Sequence, residues 1–208
     1  MLLRSGILFL VVSSAVAAAA PGRPGLFFRE DFAETPPATP VTQAHIANPD
    51  LILSLYGPGK EGVKKSHHDQ PADDPYYIWT GTCSAPSAVT LRHKTSLADL
   101  TGQAKLRWRT KQSGFRLLRI VLKLADGTWL VSDQHDDASD DWRVREFNFS
   151  DIRWRRLEIK TITEGAWEPA PDLSKVDEIG FTDLMAGGGS AACSRVDWIE
   201  VYGRPVGR

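Results

Sequence analysis

Two stretches of the chain concentrate side chains that could do chemistry. The first, "VSDQHDDASDDW" (Val131 to Trp142), holds five aspartates and a histidine. Asp133, His135, Asp137, Ser139 and Asp141 fall at alternate positions, as in a helix-loop-helix calcium hand. Ala138 stands where that motif needs glycine, and Val144 where it needs glutamate, so the motif is excluded. What remains is a carboxylate-rich loop ending at Trp142. Asp133, His135 and Asp137 could hydrogen-bond sugar hydroxyls against that indole, hold a cation, or be a solvated turn. The second stretch is "KKSHHDQPADDPYYIW". His67 and His68 beside Asp69 offer a metal or acid/base pair, although adjacent side chains on an extended chain point to opposite sides. Tyr76, Tyr77 and Trp79 could stack on pyranose faces, but alternation sends at least one of them into the core.

Other chemistries fail on spacing. "GGGSAAC" approaches a nucleophile elbow but has Ala192 where the last glycine belongs, leads into a strand, and has no histidine after it. There is no His-Glu-x-x-His, no phosphate loop and no Cys-x-x-Cys. A glycosidase needs two carboxylates flanking one bond, and 26 acidic residues do not say which two meet. A hydrolase or lyase using His67, His68 or His135 as acid/base therefore stays open beside a binding module and a surface interaction module.

Bulk properties narrow the class. A formal charge of -1 lacks the basic excess of a nucleic-acid binder. A local stripe of Arg92, Lys94, Lys105, Arg107, Arg109, Lys111, Arg119 and Lys123 would suit an acidic glycan if it lined one face; otherwise it is an outer surface balanced by acids. Residues 1–20 read as a secretory signal, with Arg4, the apolar "ILFLVV" and the small-residue "AVAAAA"; cleavage is expected after Ala17 or Ala19. The expected location is extracellular or periplasmic, and the alternative is an uncleaved anchor. No later stretch is long and apolar enough to span a bilayer. Cys83 and Cys193 are the only cysteines. In an oxidising compartment a bridge between them is the simplest pairing, and closing so long a loop would stabilise by ~4 to 5 kcal/mol; two buried thiols are the other arrangement.

These groups must be positioned by strands. "AVTLRHK", "AKLRWRT" and "RLLRIVLKLADG" alternate apolar and polar residues. Leu118, Ile120, Leu122 and Leu124 share one face, and Asp126-Gly127 turns into "TWLVSD". "LFFREDF", "DLILSLYG", "WRVREFNFS", "RWRRLEIKTIT", "VDEIGFTD" and "RVDWIEVYG" follow the same grammar. A proline-rich loop follows the first strand, and residues 57–75 read as a long loop. About ten short strands without a helical period predict an all-β, two-sheet antiparallel sandwich formed by residues 21–208 as one domain.

The last third, "DWRVREFNFSDI…DLSKVDEIGFTDLMAGGG…SRVDWIEVYG", with the opening "FREDF", resembles the galactose-binding-like jelly rolls that include many carbohydrate-binding modules. The matching positions are Leu173 to Phe181 and Asp197 to Ile199. The resemblance implies noncovalent binding of a polysaccharide or other glycan, no organic cofactor, and a structural calcium held by Glu30 or Asp31 together with Asp197. Parity puts Glu30 between Phe28 and Phe32 and Asp197 on the face of Ile199 and Val201, so both carboxylates need a cation. Calcium or an arginine such as Arg29 or Arg195 would supply it.

Overall fold

The computed structural model describes residues 22–184 and 193–208. The signal-like segment and most of "GGGSAAC" lie outside the described residues. Fifteen strands run in chain order: β1 Leu26–Glu30, β2 Leu51–Tyr56, β3 Lys64–Ser66, β4 Tyr77–Trp79, β5 Ser87–His93, β6 Ser96–Asp99, β7 Lys105–Ser113, β8 Leu118–Leu124, β9 Trp129–Asp136, β10 Arg143–Asn148, β11 Trp154–Glu158, β12 Thr163–Glu168, β13 Val176–Asp183, β14 Cys193–Tyr202 and β15 Arg204–Gly207. They form two antiparallel sheets. The six-stranded sheet has the order β10-β7-β14-β4-β3, with β1 also on β14. The nine-stranded sheet has the order β12-β11-β9-β8-β13-β5-β2, with β6 on β13 and β15 on β6. The chain crosses repeatedly from one sheet to the other, as in a jelly roll.

Alternation decides which side chains lie between the sheets. Leu106 and Trp108 of β7 and Ile199 and Val201 of β14 face Leu118, Ile120 and Leu122 of β8 and Ile179 and Phe181 of β13 in one buried cluster. Burying each such side chain stabilises by ~1.5–3 kcal/mol. The polar partners on β7, from Lys105 to Lys111, point outward and are half-exposed, apart from the turn end.

The outer face of the nine-stranded sheet is itself covered. Beyond β11 the chain turns back over this face, and Leu157 and Ile162 bury against Ala88, Val121 and Val131, with Tyr56 and Trp129 packed on the rim. Ile162 has φ 53°, a left-handed conformation that strains a β-branched residue by ~1–3 kcal/mol. It fits against Gly57, where a Cβ would come 2.4 Å from Ile162 Cγ1. Beneath the cover Glu178 accepts hydrogen bonds from Tyr56, Thr90 and Lys123. The outer face of the six-stranded sheet carries no comparable apolar cover among the described residues.

Three expectations are corrected here. The run from Val131 is strand as far as Asp136, so the carboxylate-rich loop is only residues 137–142. The stretch 57–75 contains a short strand, β3. The cysteines are unbonded, buried thiols. Cys83 joins the interior cluster, with Ser87 Oγ donating to its sulfur at 3.6 Å. Cys193 sits in register with Ser113, its sulfur 3.2 Å from that hydroxyl. The backbone N–H of the next residue, Ser194, donates to the Thr80 hydroxyl at 3.2 Å.

Candidate functional site

The open side of the six-stranded sheet carries a groove of ≈ 720 Å³. Its floor is the bulged middle of β14, where the register slips between Val196 and Trp198. That bulge turns both Asp197 and Trp198 toward the groove. Arg29 of β1 and Arg107 of β7 brace the Trp198 ring, their guanidinium carbons 4.6 Å and 5.8 Å from its centroid. Glu200 ties the two arginines together, accepting from Arg29 at 2.5 Å and Arg107 at 3.2 Å. The far wall is Tyr76, stacked on His67 with centroids 3.9 Å apart and planes 11° apart. Arg109 donates to Asp197 at 2.7 Å while lying 5.4 Å from the Trp142 ring centroid. Burial pushes the Asp197 carboxyl up from its ordinary range, and Arg109 opposes that shift.

The carboxylates expected to hold calcium are engaged otherwise, and among the described residues no group of three or more His, Cys, Asp or Glu side chains could hold a metal ion. Asp31 lies bidentate against Arg29. Asp197 pairs with Arg109, a partner absent from the sequence expectation. Glu30 is fully buried and accepts three backbone N–H groups, from Phe32 at 2.7 Å, Ala47 at 2.7 Å and Asn48 at 2.9 Å. Burial raises its pKa, and those three bonds act against the rise.

A buried cation beside this region is Lys65 of β3. Its residue is fully buried and its ammonium has no hydrogen-bond partner. The ammonium lies 4.6 Å from the centroid of Tyr76. Burial lowers its pKa from 10.5 to about 8, while the charges of Asp197, Glu30 and Glu34 act in the opposite sense. Between these two values the unfolded chain holds a proton that the folded chain has lost, so rising pH favours folding through this group. The stability of the wild type relative to Lys65→Met should therefore be flat below about pH 8 and increase from there toward pH 10.5. Denaturant unfolding of both proteins across that range checks this. A constant difference would show that Lys65 keeps an ordinary pKa.

The residues singled out from sequence do not form one site. Tyr76, His67, Asp31 and Asp197 line the groove, and Trp142 borders it through Arg109. Tyr77 is only 2% exposed, its ring set edge-on to Trp142 at 5.3 Å. Its hydroxyl is 3.2 Å from His68 Nδ1, which in turn contacts Asp74. Trp79 lies on the groove's sheet in register with Arg195, under the Lys64 ammonium. Asp133 lies on the other sheet, bound to Arg153, as does the exposed His135, in register with Arg119. Asp137 accepts from Arg143. The three histidines are thus apart, on β9 and on opposite sides of the chain after β3.

The basic stripe also divides. Arg92, Arg119 and Lys123 belong to the nine-stranded sheet and the β7 residues to the other. Most of its cations have acidic partners: Lys105 and Arg107 with Glu146, Arg109 with Asp197, Lys111 with Asp141, Arg119 with Glu164, and Lys123 with Asp177 and Glu178. Sequence reasoning missed Trp198 and Lys65. The available signal was an aromatic on the last strand, out of step with Ile199 and Val201.

No family model matches the chain, and no curated protein matches it. Among solved structures it is similar to the family 11 carbohydrate-binding module from Clostridium thermocellum in complex with a β-1,3-1,4-mixed-linked tetrasaccharide. That match has 17% identity and a TM-score of 0.47, over 82% of this chain and 98% of that one. A variant of a family 29 carbohydrate-binding module is similar at 12% identity and a TM-score of 0.45, over 85% and 92% of the two chains.

Proposed function

We propose that the chain is an exported binding module that holds an uncharged glycan noncovalently along the open face of the six-stranded sheet. The observation that carries this reading is Trp198, an indole fixed in an open groove by two arginines that are themselves tied to Glu200. A pyranose presents a flat C–H face to such a ring, and the surrounding Asp31, Arg109 and Asp197 supply hydrogen-bonding groups. Because the platform is already ordered, little side-chain freedom is lost on binding.

The lining favours a neutral ligand over an acidic one. Asp31, Glu34, Asp73, Asp74 and Asp197 outnumber Arg29 and Arg109 in the groove, and both arginines already have carboxylate partners. A uronate or sulfated chain would meet like charge. Along β14 the outward series Trp198, Glu200, Tyr202 extends roughly 13 Å, and Tyr202 opens into a second pocket of ≈ 420 Å³ beside Lys105. That track is longer than a single sugar ring. Export is supported by the pattern of residues 1–20.

Trp198→Ala should weaken retention of mixed-linkage β-glucan by about tenfold or more, equivalent to ~1.4 kcal/mol, while leaving the melting temperature near that of the wild type. Affinity electrophoresis with this neutral polymer and with polygalacturonate tests both parts. Unchanged retention in the variant, or tighter binding of polygalacturonate, would overturn the assignment. Release of new reducing ends would make the chain an enzyme.

A further inference from the structure

An exposed tryptophan outside the groove lies on the opposite side of the sandwich. Trp167 lies on β12, the outermost strand of the nine-stranded sheet, and is 44% exposed. It stands in register with Arg155, which is in register with Val131, a residue of the outer-face cluster. Trp167 therefore faces away from the six-stranded sheet.

An isolated exposed apolar side chain needs no explanation, but Trp167 is fixed in place. The guanidinium carbons of Arg155 and Arg153 lie 4.1 Å and 4.6 Å from its ring centroid. Arg153 is anchored to Asp133 at 2.9 Å and Arg155 to Glu164 at 3.3 Å. Beside the ring is a pocket of ≈ 480 Å³ whose walls include Ile152, Trp154, Pro169 and Pro171, with Ser150 and Glu168 as polar groups. Glu168 is paired with Arg156 at 2.7 Å. Each arginine beside the indole is thus held by a carboxylate, Glu164 being shared between Arg155 and Arg119. A rigid indole, apolar walls and two polar groups suit an uncharged ring with a C–H face and hydroxyls.

We infer that Trp167 and the adjoining pocket form a second pyranose-binding platform, back to back with the Trp198 groove. The pyranose site at Trp167 stands on its own geometry. Its consequence, that one molecule bridges two glycan strands, rests also on the groove reading. Two platforms on opposite faces cannot engage one short oligosaccharide, so they add stoichiometry with a short ligand and avidity with a polymer.

Isothermal titration of the chain with cellohexaose, an uncharged oligosaccharide, separates the two claims. The expected result is two equivalents bound by the wild type, one by Trp167→Ala, one by Trp198→Ala and none by the double variant. Melting curves confirm folding, which a change on an exposed edge strand leaves intact. An unchanged stoichiometry and affinity in Trp167→Ala would overturn the second platform. Loss of the Trp167-dependent equivalent together with an ineffective Trp198→Ala would uphold it while refuting the groove. Trp167→Phe, which keeps an aromatic ring, should restore part of the lost binding; failure of both variants to differ from wild type would again reject the site.

Discussion

Glu30→Ala should destabilise the fold by ~3–5 kcal/mol, the scale of a broken buried charge arrangement. The carboxylate of Glu30 accepts the backbone N–H groups of Phe32, Ala47 and Asn48, and alanine leaves all three without that acceptor. Each unsatisfied buried donor costs ~1–3 kcal/mol, less what local water entry returns. The loss also removes one of the negative charges acting on Lys65. Two distant segments separate when the contact goes, because Ala47 and Asn48 belong to the chain before β2 whereas Glu30 ends β1. Glu30→Gln keeps one acceptor oxygen and should lose less. Urea unfolding of the three proteins gives the test; an alanine variant within 1 kcal/mol of wild type would show that these bonds contribute little on the scale of an ordinary surface substitution.

Asp136→Ala should cost a similar ~3–5 kcal/mol for a related reason. Asp136 is fully buried at the end of β9. It accepts from Trp108 Nε1 at 3.1 Å and from the Thr110 hydroxyl, both on β7 in the opposite sheet, and from the Arg143 guanidinium on β10. The residue is therefore a polar tie between the two sheets at the margin of the apolar core. Alanine would leave an indole N–H, a hydroxyl and part of a guanidinium without this acceptor. Asp136→Asn preserves an acceptor oxygen but loses the charge that faces Arg143, and should fall between alanine and wild type. Thermal melting distinguishes these outcomes, and equal melting temperatures for alanine and wild type would contradict the role assigned to the tie.

The legible and illegible parts of the molecule differ in a physical way. Strands with one buried face announce themselves by period-2 alternation, and Leu106/Trp108 and Leu118/Ile120/Leu122 indeed lie between the sheets. Glu30 could be placed inward by parity alone. Short or edge strands give no such pattern: β3 has three residues, and β12 is exposed along nearly its whole length. The bulge at Asp197 also defeats parity, because one extra residue on β14 turns the following side chains to a different face. That is why parity does not single out Trp198 although its strand is legible; the strand read as the last is followed by β15.

The carboxylates of the calcium expectation differ from it in their partners. Sequence shows that acidic residues occur on the first and last strands; it does not show that Arg29 and Arg109 reach two of them, or that loop N–H groups reach the third. The aspartate-rich stretch is divided in the same way. With the strand continuing to Asp136, its members go to three surroundings: Asp133 toward Arg153, Asp136 into the core, and Asp137 with Trp142 near the edge of the open face. Side chains adjacent in sequence are dispersed because a strand sends neighbours to opposite faces.

The cover on the nine-stranded sheet closes part of its outer face and leaves Trp167 exposed at the edge. Leu157 and Ile162 bury against Ala88, Val121 and Val131 with Tyr56 and Trp129 on the rim, and the groove at Trp198 lies on the opposite side. The most direct test of this account is a solution NMR titration that follows assigned tryptophan indole N–H signals while cellohexaose is added. The account predicts a saturable shift at Trp198 with no change at Trp129 on the rim of the cover. A shift at Trp129 with a still Trp198 signal, or no shift at Trp198 at saturating ligand, would contradict it.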